Sequence, residues 1–393
     1  MDNLYSMKKI IFIHKNPLIP RLKNNFHIHT LINYGYNVEY WDIGHIIGNE
    51  NRFDEELIEE YYKQIKSFDE LQQELIKLKK NETLIFVQFA ETWYNRRVFK
   101  LLTESGIHLS CLNIYPMMFS PFTLKASDRN ILLNPQVYIY VLKNFRNIIY
   151  SLYIKIRKTN RFNSYFTSAN IPIRTHNINN PDFEAYKGLS NNIDSAYTDK
   201  PYILFLDIFY PLHPELKKLV PNCSLIAKEY QTKLNNLFDK LEKKYGMEVI
   251  IAAHPSSSYD LDTFNGRNII KNKTAVLVKY ANYVIAHNSK SNMYAILFNK
   301  PILFIHSKVM DFVNNFSARI KRLAVFFGKS SYSIDDNLEL TPEITCIEST
   351  IRENFIYSHL TSKEIEGKFN EEIIPREIEK IFSRLQKDGK SNS

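Results

Sequence analysis

Two short polar motifs in the second half of the chain contain the residue types that bind phosphate. The first is His254-Pro255, directly after an apolar run. The second follows another apolar run and consists of five consecutive residues: Asn288, Ser289, Lys290, Ser291 and Asn292. A histidine titrates near neutral pH, so it can donate to a phosphate oxygen or protonate a leaving phosphate. Serine hydroxyls, a lysine and the backbone N–H groups of a following helix together form an anion site.

Each motif also has a purely structural interpretation. His-Pro is a common turn sequence, and Ser and Asn are ordinary residues for capping a helix. The functional interpretation is favoured because both motifs are predicted to follow adjacent strands of one sheet. We therefore predict that His254, Pro255 and residues 288–292 bind the phosphate of an activated donor.

The elements that position these motifs are predicted from apolar runs rich in Val and Ile within residues 248–305. Helix-length segments separate the runs, as in a β-α-β-α-β unit with buried parallel strands. In such sheets ligands bind at the carboxyl ends of the strands. The pattern begins at the predicted strand 202–207 and continues through a helix over 227–245 that ends at Gly246.

The first half of the chain has the same alternation of strands and helices. Predicted strands over 10–13, 37–42, 83–88, 109–113 and 171–175 indicate a doubly wound α/β domain. The polar segment 179–200 is the predicted linker, with the boundary near Ser195. We thus predict an α/β protein of two Rossmann-like domains, 1–195 and 196–393.

The composition is that of a basic, folded, cysteine-poor protein. The 393 residues are 44% hydrophobic and carry a formal net charge of +9, which favours anionic partners such as a nucleotide, nucleic acid or an anionic membrane surface. The three cysteines, Cys111, Cys223 and Cys346, lack the spacing of a zinc site or a disulfide framework. A reducing cytoplasm is therefore expected. No apolar run reaches the roughly 18 residues of a membrane span.

Residues 135–166 form a basic and aromatic segment without a single Asp or Glu. A helix of this kind can lie in the interface of an anionic membrane, with its rings among the lipid headgroups. It can equally pack on a protein core and leave its cations solvated. Both interpretations stay open at the level of sequence.

The His-Pro and Ser motifs, in two Rossmann-like halves, resemble those of bacterial sialyltransferases and polysialyltransferases of the GT-B fold, and of related capsule or lipopolysaccharide glycosyltransferases. The resemblance covers mainly residues 202–305. It implies a CMP-sugar donor in the cleft between the domains, with His254 contacting the phosphate and assisting its departure. Ser289 and Ser291 would hold the same phosphate. The chain departs from the family pattern because Lys290 splits the usual Ser-Ser or Ser-Thr pair and because no Asp-Asp-Gly is present.

An inverting transfer also needs a group that accepts the proton of the acceptor hydroxyl. Glu91, after the predicted strand 83–88, is the first candidate, and His14 at the end of the first strand is the second. Asp207, at the end of the first strand of the second half, is a further catalytic or donor-positioning candidate. Asp260 and Asp262 have the spacing of a metal-binding D-x-D motif, but they lie in a polar loop, so no metal is predicted.

These observations together predict a cytoplasmic, inverting, metal-independent glycosyltransferase without a cofactor. It would move sialic acid or a related acidic sugar from a CMP-sugar to a glycan or glycolipid, in peripheral contact with the membrane. Alternative donors are a UDP- or GDP-sugar or CDP-glycerol, and sugar epimerases of the same fold are a further possibility. A different class, a nucleic-acid-binding or scaffold protein, fits the positive charge, but the sequence has no RNP-type, zinc-finger or helix-turn-helix signature.

Overall fold

A computed structural model divides the chain into two compact units. Unit 1 comprises Met1–Pro181 and Ser358–Ser393, and unit 2 comprises Asp182–Tyr357. The residues that the structure describes are 8–48, 55–114, 135–157, 161–169, 175–191, 200–213, 222–260, 262–312, 316–335 and 341–391.

The described residues of each unit form one parallel β-sheet. The seven strands of unit 1 are β1 Lys9–His14, β2 Asn37–Asp42, β3 Tyr62–Gln64, β4 Thr83–Val87, β5 His108–Asn113, β6 Ser164–Thr167 and β7 Thr175–Asn177. Their order in the sheet is β3-β2-β1-β4-β5-β6-β7. The six strands of unit 2 are β8 Tyr202–Leu206, β9 Glu248–Ala253, β10 Ile269–Lys271, β11 Tyr283–Ala286, β12 Ile302–His306 and β13 Ser331–Ser333. Their order is β10-β9-β8-β11-β12-β13.

Helices connect the strands, as parallel pairing requires. In chain order the α-helices are α1 Pro20–Asn25, α2 Ile28–Asn33, α3 Phe68–Ile76, α4 Arg96–Ser105, α5 Pro135–Arg157, α6 Pro181–Asn191, α7 Cys223–Tyr245, α8 Thr274–Tyr280, α9 Asn292–Leu297, α10 Phe316–Phe326, α11 Ser349–Phe355 and α12 Asn370–Ser391. Short 3-10 helices cover His45–Ile47 and Lys308–Phe312, and a π-helix covers Ile356–Leu360. The predicted helix end at Gly246 is confirmed, and Gly106 ends α4 in the same way; both glycines have positive φ.

The predicted architecture, α/β with two Rossmann-like halves, is confirmed by the two parallel sheets. The strands are buried because their apolar residues are covered by helices on both faces; β1, β4 and β8 consist almost entirely of buried residues. The last strand of unit 1 lies later than the predicted 171–175, at Thr175–Asn177. Residues 170–174 are outside the described part of the chain.

The chain is divided differently from the two predicted domains. The first division follows Pro181, whereas the prediction placed it near Ser195, which lies outside the described residues. Residues 358–393 belong to unit 1, although the prediction assigned them to the second domain. The reason is apolar burial: Ile374, Ile378 and Phe382 on α12 lie in the same core as the residues of β1 and β4.

Candidate functional site

The carboxyl edge of the unit 2 sheet brings together the ends of three strands. Strand β8 pairs with β9 on one side and with β11 on the other. The expectation that the two polar motifs follow adjacent strands is therefore wrong, because β8 lies between them. At roughly 4.8 Å per strand, the motifs stand about 10 Å apart. The end of β8, which carries Asp207, occupies the position between them.

His254 follows β9 and its ring is held by the turn that comes after it. The Nδ1 atom accepts a hydrogen bond from the backbone N–H of Ser256 over 3.2 Å, and the backbone N–H of Ser257 donates to the His254 carbonyl over 2.9 Å. A neutral ring that accepts at Nδ1 carries its proton on Nε2. Since the side chain is partly exposed, Nε2–H is available to donate to a phosphate oxygen.

A second histidine, His213, lies against His254. The two ring centroids are 5.0 Å apart with an interplanar angle of 77°. Partial burial lowers the pKa of His254, and the neighbouring His213 lowers it further. The sequence contains a signal for this pair, because His213-Pro214 repeats the His-Pro pattern six residues after the end of the predicted strand 202–207.

Asp207 fixes the geometry around His254. It is only 7% exposed, and its Oδ2 accepts from the backbone N–H of His254 over 3.1 Å and from the hydroxyl of Tyr259 over 2.8 Å. Its Oδ1 accepts from the N–H of Phe209, a residue at φ 52°. Burial raises the pKa of Asp207, and these hydrogen bonds oppose the rise. The structure therefore places Asp207 as a support of the His254 turn.

His287 follows β11, yet it is completely buried. Its Nδ1 lies 2.8 Å from the carbonyl oxygen of Ile305, and its Nε2 contacts the hydroxyl of Tyr230. A neutral ring satisfies both contacts when Nδ1–H donates and Nε2 accepts. Burial lowers the pKa of His287 to about 4. This histidine consequently has a structural role.

Asn292 is buried with His287, contrary to the expectation of a donor-binding residue at the surface of the site. Its side chain is 0% exposed, and its Nδ2 donates to the carbonyl oxygen of His287 over 2.6 Å. Its Oδ1 has no hydrogen-bond partner within the described part of the chain. Asn292 thus holds the end of β11 in place.

The rest of the second motif forms a tight turn at the start of α9. Ser289 Oγ accepts from the N–H of Ser291 over 3.2 Å, and the N–H groups of Asn292, Met293 and Tyr294 donate to carbonyls three residues earlier. These backbone donors are therefore already used within the turn. The side chains of Asn288, Ser289 and Ser291 are partly exposed, and that of Lys290 is exposed.

In unit 1, Glu91 borders a cavity of 590 Å³ at the carboxyl ends of β4 and β5. One carboxylate oxygen accepts from the hydroxyl of Tyr150 over 2.7 Å, and the other accepts from Nε of Arg161 over 3.2 Å. The amide nitrogen of Gln88, which also borders the cavity, is buried without a hydrogen-bond partner among the described residues. Glu91 is therefore held beside the cavity by Tyr150 and Arg161.

His14 ends β1 in the same sheet and is 8% exposed. Its Nδ1 accepts from the N–H of Asn16 over 3.1 Å, and its ring contacts Phe26 and Tyr40. Burial lowers the pKa of His14 to about 4. At neutral pH this ring is therefore neutral and a weak base.

The two aspartates of the D-x-D sequence are both exposed. Their backbone carbonyls accept hydrogen bonds in successive turns, Asp260 from Thr263 and Asp262 from Asn265. Within the described ranges, no group of three or more His, Cys, Asp or Glu side chains is arranged to hold a metal ion.

Comparisons with known proteins find only distant structural similarity. No family model matches the chain, and no curated protein matches it. The UDP-GlcNAc 2-epimerase of Neisseria meningitidis bound to UDP-GlcNAc is 12% identical, with a TM-score of 0.41 over 95% of this chain and 100% of that one. The wall teichoic acid polymerase TagF is 14% identical, with a TM-score of 0.43 over 98% of this chain and 90% of the other. The epimerase of Methanocaldococcus jannaschii is 11% identical, with a TM-score of 0.43 over 88% of this chain and 98% of its own.

Proposed function

We propose that the chain is an inverting, metal-independent glycosyltransferase that binds the phosphate of a nucleotide-activated sugar at His254. The observation that supports this most directly is the partly exposed imidazole at the carboxyl edge of a parallel sheet, held in the tautomer that presents Nε2–H. Buried Asp207 maintains that turn through the His254 backbone. Preorganised donors of this kind stabilise the charge that develops on a leaving phosphate.

In the proposed reaction the acceptor hydroxyl attacks the anomeric carbon of the donor sugar. The bond between that carbon and the phosphate oxygen breaks, and the nucleotide leaves with the electron pair. His254 stabilises the departing phosphate, while a base takes the hydroxyl proton. Glu91 and His14 remain the candidates for this base, and each is to be tested by substitution.

The leading donor is a CMP-linked sialic acid or related acidic sugar, as the His-Pro and Ser motifs imply. One observation favours the alternative of a UDP- or GDP-sugar or of CDP-glycerol. These donors carry two phosphates, and the pair His213 and His254 provides two imidazoles with centroids 5.0 Å apart. A CMP-sugar has one phosphate and requires one imidazole.

The test is the thermal stability of the purified protein with CMP, CDP, UDP, GDP or ADP in the presence of EDTA. A ligand that binds only the folded state raises the midpoint of thermal unfolding, and at equal concentration a tighter ligand raises it more. We expect CMP to stabilise the wild type and His254→Ala to lose the shift, with His213→Ala unaffected. Stabilisation by CDP or UDP that requires both histidines would replace the CMP-sugar by a diphosphate donor. If no nucleotide binds, with or without added Mg²⁺, the proposal fails.

A further inference from the structure

Helix α5 exposes an apolar face in the part whose side chains the structure describes. Five large side chains form what we call the α5 stripe: Phe145 is 55% exposed, Ile148 37%, Ile149 49%, Leu152 54% and Ile156 80%. Their spacing of three, four and seven residues places them on one side of an α-helix. Contiguous exposed apolar side chains of this size mark a surface that contacts another apolar phase.

The opposite side of α5 is the one that packs on unit 1. Asn147 Oδ1 accepts from the backbone N–H of Trp93 over 3.1 Å, and the Tyr150 ring stands edge-on to the Trp93 ring with centroids 6.0 Å apart. Ile154 borders the cavity beside Glu91. Because these contacts fix the rotation of the helix, the α5 stripe points away from its own sheet.

Cations flank the stripe on both sides. At about 100° per residue, Arg146 and Lys155 fall on opposite edges of the apolar face, and both are exposed. The sequence of α5 contains no Asp or Glu. Long cationic side chains at the rim of an apolar stripe can reach the phosphates of lipids while the stripe enters the acyl boundary.

We propose that the outward face of α5 docks on an anionic lipid bilayer, with the α5 stripe inserted at the level of the headgroups. A bilayer fits this face because it offers an apolar interior and a negatively charged surface together. Among the described residues, no helix is both long enough and apolar enough to cross a membrane.

The proposal is tested by sedimentation of the full chain with vesicles, in the absence of any donor or acceptor, so that the result is independent of the proposed transfer reaction. We expect the full chain to bind phosphatidylcholine vesicles that contain phosphatidylglycerol, and to bind vesicles of phosphatidylcholine alone much more weakly. Leu152→Asp should lower the affinity at least tenfold. The matched control is Leu225→Asp on α7, since Leu225 is also exposed, at 69%, and its substitution should leave binding unchanged.

The contribution of the cations beside the α5 stripe to vesicle binding is tested by two matched double variants. Arg146→Gln with Lys155→Gln should weaken binding about tenfold and reduce its dependence on salt. Lys228→Gln with Lys243→Gln removes the same charge from exposed positions on α7 and should change the affinity less than twofold.

Insertion itself is measured with Ile156→Trp, whose fluorescence brominated lipids should quench. The proposal is overturned if wild type does not sediment with anionic vesicles, or if Leu152→Asp and Leu225→Asp weaken binding equally. It is also overturned if light scattering shows a dimer that Leu152→Asp dissociates while vesicles are not bound, because the stripe would then contact a second copy of the chain.

Discussion

Two histidines of unit 2 follow parallel strands and yet have opposite environments. His254 follows β9 and is partly exposed, with Nδ1 bonded to its own turn. His287 follows β11 and is 0% exposed, with both ring nitrogens in contact with Tyr230 and Ile305. A strand end therefore does not by itself make a histidine functional; a ring nitrogen with access to solvent is also needed.

The largest effect is expected from removing the exposed ring. His254→Ala should lower kcat/KM for sugar transfer by about 10²- to 10⁴-fold, because a positioned proton donor contributes about that much. Its thermal midpoint should stay close to wild type, since the ring makes few buried contacts. The control is His29→Ala, which removes an exposed imidazole from unit 1. Unchanged kcat/KM in His254→Ala would contradict the assigned role.

Removing the buried ring of His287 should lower stability and leave kcat/KM almost unchanged. His287→Ala leaves the Tyr230 hydroxyl and the Ile305 carbonyl without their partner and opens a cavity, so the free energy of unfolding should fall by about 2–4 kcal/mol. Urea denaturation measures this loss. The variant that still folds should retain kcat/KM within a few-fold; a selective loss of activity without a loss of stability would make His287 part of the reaction.

The buried ring of His287 should also make the stability of the protein depend on pH. The folded pKa of His287 is about 4 against 6.5 for the free side chain, so the unfolded chain binds a proton that the folded one excludes. Its stabilising contribution is complete above pH 6.5 and declines as pH falls towards 4, by about 3 kcal/mol. The unfolding free energy of His287→Gln should accordingly decline less than that of wild type over this range.

Nucleotide binding at His254 should have the opposite dependence on pH. The free ring has a lowered pKa, and a bound phosphate favours its protonated form, in which Nδ1 no longer accepts from the Ser256 N–H, so binding takes up a proton and strengthens as pH falls below neutrality. Titration calorimetry in two buffers of different ionisation enthalpy measures the uptake. In His254→Asn the proton uptake on nucleotide binding should disappear. If it persists, another group takes up the proton, and His213 is the neighbouring candidate.

A smaller effect on activity is expected from substituting Asp207, which accepts a hydrogen bond from the His254 backbone. Asp207→Asn should lower kcat/KM about tenfold and move the pH midpoint of binding, because the turn that fixes the ring loses its charged acceptor. Stability should change by about 1 kcal/mol, since the substitution also removes a buried charge. Asp262→Asn, on the exposed loop nearby, is the control. If Asp207→Asn lowers activity only because the protein is less stable, and the pH midpoint of binding does not move, Asp207 has a purely structural role.

Much of the fold was predictable from local patterns. Runs of Val and Ile between helix-length segments predicted parallel strands, and Gly246 after a helix-length segment predicted the end of α7; both predictions are confirmed. The placement of His254 directly after a strand was predictable for the same reason. The donor, the base and the membrane contact stay predictions.

What the sequence by itself determined is the set of elements and the residues at their ends, because strand and helix periods act between near neighbours. Only the tertiary structure decided that β8 lies between β9 and β11, that α12 packs in the core of unit 1, and that the α5 stripe points outward. It also decided which histidine is exposed. These features depend on contacts between residues far apart in the chain, and burial of apolar surface selects among the arrangements that local patterns leave open.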